Sequence, residues 1–281
     1  MMTPLVSTDW VLDNLDTITV LDASWHMPDS GRNAQLEYYE LHIPGAIYFD
    51  IDVIANHESS LPHTLPTAKF FAQAIEYLGI RNTDTLVIYD RSMVRSAARA
   101  WQMFLHFGHR EVYVLDGGLE KWINEQKPLS SHINRTYSNY PTPERFGNKF
   151  CAFNKVLEAI DNETQIIDAR PSDRFEGTAP EPRPGLRSGH IPGSLNVPFS
   201  SLFNEDGTYK DIETLQGIFT EAGLDFTKPV ITSCGSGVTA CALSLALAIL
   251  GKHDVTVYDG SWTEWGMRDD LPIETGPAPR K

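Results

Sequence analysis

With 281 residues and 41% hydrophobic side chains, the chain is long enough for two domains, each with its own core. Its 23 Lys plus Arg against 37 Asp plus Glu leave a formal charge of −14, which repels phosphate backbones and anionic bilayers and excludes nucleic acid and membranes as expected partners. Cys151, Cys234 and Cys241 are too few and scattered for a disulfide framework, and none forms a C-x-x-C pair, so no metal or cofactor is expected.

The first residues carry no basic start followed by an apolar core, and no stretch is long enough to span a bilayer, so a cytoplasmic protein is expected. The first β-rich run ends in Leu21-Asp22-Ala23-Ser24, and the box His42-Ile43-Pro44-Gly45-Ala46 follows it. Helical patterns over 67–79 and 92–108 flank the apolar run Leu86-Val87-Ile88-Tyr89-Asp90. Next comes Val112-Tyr113-Val114-Leu115-Asp116-Gly117-Gly118, with Trp122 just beyond it. Residues 127–148 are rich in Pro, Ser and Asn and read as a linker.

After the linker the chain repeats itself. Ile167-Asp168-Ala169-Arg170 echoes Leu21-Asp22-Ala23-Ser24, and His190-Ile191-Pro192-Gly193-Ser194 echoes the first His box. Val230-Ile231-Thr232-Ser233-Cys234 matches the run ending in Asp90, while Val255-Thr256-Val257-Tyr258-Asp259-Gly260-Ser261 and Trp265 match the last strand-like run and Trp122. Strand-like runs alternate with helical ones in both copies, which predicts two tandem α/β domains, each a mainly parallel sheet flanked by helices. The expected bounds are 1–126 for the first domain and 149–281 for the second. The helix predicted over 238–251 is apolar nearly all round and is expected to be buried. Asp22 and Asp168, at strand ends, read as residues that fix turns through side-chain to backbone hydrogen bonds.

The copies differ where chemistry would occur. The second has Cys234-Gly235-Ser236-Gly237-Val238-Thr239 between a strand and a helix, a place where loop N–H groups and the positive end of the helix lower the energy of a negative charge. A lone cysteine is more often a small buried hydrophobe. Gly235 and Gly237 argue otherwise, because they permit loop conformations closed to other residues. The first copy has Asp90 at this point, so only the second can act as a thiol catalyst.

These motifs together resemble the two-domain rhodanese-family sulfurtransferases over nearly the whole chain, and the Cys234 loop is similar to that of the 3-mercaptopyruvate-using members. The resemblance implies that Cys234 carries sulfur as a persulfide, cradled by Gly235, Ser236, Gly237, Val238 and Thr239. It further implies that Arg174 and Arg183 bind the carboxylate and keto oxygens of 3-mercaptopyruvate, and that Ser236 and His42 belong to a proton relay. The acceptor it implies is cyanide or a thiol such as thioredoxin or a small thiol. Asn33 stands where relatives carry Asp in that relay, and an amide is no base. Solvated loop charge is the commoner state of an arginine, and bracing a turn is an alternative role for both His42 and His190. Cys151 and Cys241 read as structural.

Three other readings compete. Thiosulfate is a compact dianion, and thiosulfate-using relatives typically carry basic residues just after the cysteine, which this loop lacks; thiosulfate:cyanide transfer remains the alternative activity. A C-x5-R phosphatase would need arginine at Ala240. A pure binding module would have no use for Cys234.

Overall fold

The computed structural model describes residues 3–133, 137–144 and 147–278. Internal contacts divide the chain into two units. The first comprises Met1–Glu58, Leu65–Gly147 and Asn204–Tyr209, and the second comprises Ser59–Thr64, Asn148–Phe203 and Lys210–Lys281.

In the first unit, β1 (Leu5–Val6), β2 (Thr19–Asp22), β3 (Ile47–Tyr48), β4 (Leu86–Tyr89) and β5 (Val112–Leu115) form a parallel sheet ordered β1-β5-β4-β2-β3. Its helices are α1 (Thr8–Asn14), α2 (Ala34–Glu40), α3 (Ala68–Tyr77), α4 (Ala97–His106) and α5 (Gly118–Asn124). The second unit repeats the order as β6 (Phe150–Cys151), β10 (Val255–Tyr258), β9 (Val230–Ser233), β7 (Gln165–Asp168) and β8 (Leu195–Asn196). Its helices are α6 (Phe153–Ile160), α7 (Ser172–Phe175), α8 (Ile212–Glu221), α9 (Thr239–Ile249) and α10 (Ser261–Met267).

The repeat extends to register. Asp22 pairs with Tyr89 in one sheet as Asp168 pairs with Ser233 in the other, so Asp90 and Cys234 leave equivalent strand ends. Central strands β4 and β9 are buried at every residue, as expected of parallel strands covered on both faces. Trp122 and Trp265 each donate Nε1–H to a proline carbonyl at 2.8 Å, Pro128 and Pro272 respectively. His42 forms an isolated antiparallel bridge with Ser130, and His190 forms its counterpart with Glu274. Each copy therefore ties its His box to the segment after its last helix.

Helix α9 follows the expected burial, with Ala240 through Leu247 all inside. Two elements depart from the sequence reading. The helix expected over 92–108 begins only at Ala97, because the Asp90 carboxylate accepts the N–H groups of Ser92 at 2.9 Å and Ala97 at 2.7 Å, and Arg95 takes a left-handed φ of 56°. The segment read as a linker is counted with the first unit up to Gly147, and Ser130 and Ser138 are bonded to His42 and Ile80 there. Residues 134–136 and 145–146 of that segment lie outside the described residues. Among the described residues no helix is long and apolar enough to cross a membrane.

Candidate active site

Strand β9 delivers Cys234 to the carboxyl end of the sheet, beside the point where the strand order reverses, which is where parallel α/β sheets bind ligands. Gly237, with φ 76°, swings the chain into α9, and its N–H donates to Cys234 Sγ at 3.1 Å. The first turn of α10 holds the other side of the loop. Trp262 N–H donates to the Cys234 carbonyl at 2.9 Å, and Thr263 donates to the Gly235 carbonyl through both its N–H at 2.9 Å and its hydroxyl at 2.6 Å. Gly235 is not left-handed, contrary to the expectation that both glycines serve unusual backbone angles. A Cβ there would face Arg174 Nη2 at 3.5 Å, so its bare edge leaves that side of the loop open toward the guanidinium.

The sequence reading missed Ser261. Its Oγ accepts the Cys234 N–H at 3.1 Å, donates to the Tyr258 carbonyl at 2.8 Å and lies 4.0 Å from Sγ. The backbone there has φ 49°, a strained value for a residue with a side chain. The equivalent position in the first copy is Gly118, φ 59°, where a Cβ would clash with the Asp90 carbonyl. A serine held where its duplicate uses glycine was the available signal.

Both predicted arginines lie in the same unit as the cysteine. Arg174 sits on α7, which the second His box braces: His190 Nδ1 is 2.8 Å from the Phe175 carbonyl, and the His190 ring stacks on Phe175 at 3.8 Å. Arg174 Nη2 is bonded to Glu181, while its buried Nε–H has no acceptor among the described residues. Arg183 Nη1 is 3.5 Å from Thr263 Oγ1, the hydroxyl that holds the Cys234 loop. Arg174 thus lies toward the side left open by Gly235, and Arg183 lies beside the Thr263 hydroxyl that holds the loop. Ser236, on the loop, and Thr239, the first residue of α9, are half-buried, and Val238 is buried.

His42 belongs to the first unit and is fully buried there. Its Nδ1 is 2.7 Å from the Tyr38 carbonyl, its Nε2 is 3.2 Å from the His132 carbonyl, and its ring stacks on Tyr38 at 4.4 Å. His190 and Phe175 make the same pairing of ring nitrogen to carbonyl and ring to ring in the second unit. Asn33 is the N-cap of α2, accepting the Leu36 N–H at 2.9 Å, a role an amide fills well.

A rhodanese-like domain model matches the sequence twice, over residues 7–125 and 153–268. The chain belongs to the rhodanese family. It is 45% identical to the mitochondrial thiosulfate/3-mercaptopyruvate sulfurtransferase 1 of Arabidopsis thaliana, over 97% of this chain and 78% of that protein. It is 43% identical to the 3-mercaptopyruvate sulfurtransferase of Escherichia coli K12, over 96% of this chain and 97% of that one. Among solved structures, SseA from E. coli, described as a 3-mercaptopyruvate sulfotransferase, superposes with a TM-score of 0.84 at 40% identity, covering 93% of this chain and 99% of that chain.

The two rhodanese-like domains treat their equivalent strand-end acids differently. Asp168 is paired with Arg170, which donates Nη2–H to Oδ2 at 2.7 Å. Asp22 has Ser24 at the corresponding place and accepts its N–H at 2.9 Å, with the Ser24 and Tyr89 side chains as further hydrogen-bond partners. Burial pushes the Asp22 carboxyl up to about 6, and the neighbouring Asp90 carboxylate adds to this. A carboxyl raised in the folded state stabilises the fold below its unfolded pKa, near 4, and that contribution is lost as pH climbs through 6. Asp22→Asn stays neutral and keeps an acceptor for Ser24. Its stability relative to the parent is therefore expected to improve between pH 4.5 and pH 7.5, by up to about 2 kcal/mol. Urea unfolding of both proteins at the two pH values measures this, and a pH-independent gap would refute it.

Proposed function

We propose that this rhodanese-family chain is a sulfurtransferase that takes the sulfur of 3-mercaptopyruvate onto Cys234 and passes it to a thiol or cyanide, releasing pyruvate. The observation that carries the reading is the loop itself: a cysteine sulfur receiving the Gly237 N–H, with Arg174 and Arg183 beside the loop.

In the first half-reaction the Cys234 thiolate attacks the substrate sulfur. The Sγ–S bond forms as the S–C bond breaks, and the electron pair of that bond leaves on carbon as the enolate of pyruvate, which then takes a proton. Arg174 and Arg183 hold the carboxylate and the oxygen that gains charge, through charge-assisted hydrogen bonds. The outer sulfur, now part of a persulfide, is held by the loop N–H groups from Gly235 to Thr239 and by the Ser236 and Thr239 hydroxyls. In the second half-reaction an acceptor thiolate, from thioredoxin or a small thiol, attacks the outer sulfur and returns Cys234 to thiolate. Ping-pong kinetics follow. The free cysteines suit a reducing compartment such as the cytoplasm.

Intact mass spectrometry tests the reading directly. Treatment with 3-mercaptopyruvate and removal of the excess is expected to add one sulfur atom to the protein, and no gain would overturn it. Donor choice tests its finer part. The loop carries no basic residue from Gly235 to Thr239, so 3-mercaptopyruvate is expected to exceed thiosulfate in kcat/KM. A thiosulfate rate that matches or exceeds it would assign the chain to thiosulfate:cyanide transfer instead.

A further inference from the structure

We propose that Glu181 is a positioning residue: its buried carboxylate joins Arg170 to Arg174 and thereby aims the Arg174 guanidinium at the Cys234 loop. The inference rests on the reading of Arg174 as a substrate contact.

The four charged groups form a chain graded from rigid to accessible. Asp168, Arg170 and Glu181 have side chains 2%, 1% and 2% exposed, whereas that of Arg174 is 22% exposed. Arg170 has no freedom left. Its Nε and Nη2 grip Asp168, Nη2 also reaches the Gly189 carbonyl at 2.8 Å, Nη1 holds Glu181 Oε1 at 2.7 Å, and its guanidinium carbon lies 4.2 Å from the centre of the Trp262 ring. Glu181 Oε1 is fixed by that group, which leaves Oε2 as a fixed anchor for Arg174 Nη2. Nη2 of the anchored guanidinium lies toward Gly235, and the Nε–H has no acceptor among the described residues.

Two carboxylates balance two guanidiniums, so the buried charges offset each other without a ligand. A flexible arginine would have to be ordered by each arriving substrate, and anchoring removes that cost. The first copy has Ser24 in place of Arg170, so it lacks the start of this chain. The network thus belongs to the copy that carries the cysteine.

Alkylation of Cys234 separates positioning from charge. Iodoacetate carries a carboxylate and iodoacetamide does not, so the ratio of their rates reports a guanidinium held beside the sulfur. Removing the negative charge of Glu181 would by itself raise that ratio; losing the aim of Arg174 lowers it. Glu181→Gln is expected to lower the ratio by about tenfold, close to Arg174→Ala, and the double variant is expected to fall no further. The KM for 3-mercaptopyruvate is expected to rise about tenfold in Glu181→Gln, with kcat changed less than about threefold. A ratio that stays at the parent value or rises, or losses that multiply in the double variant, would overturn the proposal. Should Glu181→Gln not fold, Glu181→Asp, which keeps the charge and shortens the reach, carries the same comparison. Alkylation needs no turnover, so a parent protein that gains no sulfur would sink the functional reading while this result still decides the role of Glu181.

Discussion

Cys234→Ser is expected to abolish sulfur transfer, by on the order of 10⁴-fold or more, without unfolding the chain. The serine oxygen can accept the Gly237 N–H as the sulfur does, and it fits a site already lined for a slightly larger atom. Packing is therefore nearly conserved, and melting is expected within a few degrees of the parent. Chemistry is not conserved. An alcohol is ionised far less readily than a thiol, and oxygen offers no stable counterpart to a persulfide. Turnover with 3-mercaptopyruvate and cyanide, together with intact mass after donor treatment, checks both halves of the expectation. Retained turnover, or a sulfur still gained by the variant, would move the nucleophile to another residue.

Much of the fold was legible because the chain carries its own comparison. Two copies with the same order of strand-like runs, His boxes and tryptophans predict two parallel sheets, and those sheets repeat even in residue register. The cysteine was legible through contrast with Asp90, which keeps the first copy's loop closed on its own carboxylate. What escaped the sequence depends on distance across turns. Glu181 lies in a proline-rich stretch where a carboxylate reads as solvated, yet its partners are 11 and 7 residues back, and only the folding of that loop onto α7 buries it. Ser261 looked like part of a turn because its role arises from a left-handed backbone and a sheet that brings β10 beside β9. A histidine in a recurring box invites a chemical role, and the sequence did not show the ring contact that both copies share, His42 on Tyr38 and His190 on Phe175.

Arg174→Ala and Arg183→Ala are each expected to lower kcat/KM for 3-mercaptopyruvate by about 10- to 150-fold, from hydrogen bonds to a charged group that contribute about 1.5–3 kcal/mol. An uncharged donor without a carboxylate, such as an organic trisulfide, is expected to lose much less. The contrast matters because either variant could disturb the loop indirectly. Arg183 touches the Thr263 hydroxyl that holds the Gly235 carbonyl, and Arg174 shares Glu181 with the buried Arg170. Damage to the loop would slow every donor alike, because each must reach the same sulfur, whereas loss of a carboxylate clamp is felt only by donors that carry one. Equal losses with both donors would therefore reduce these arginines to scaffolding for the Cys234 loop and leave the recognition of 3-mercaptopyruvate to other groups.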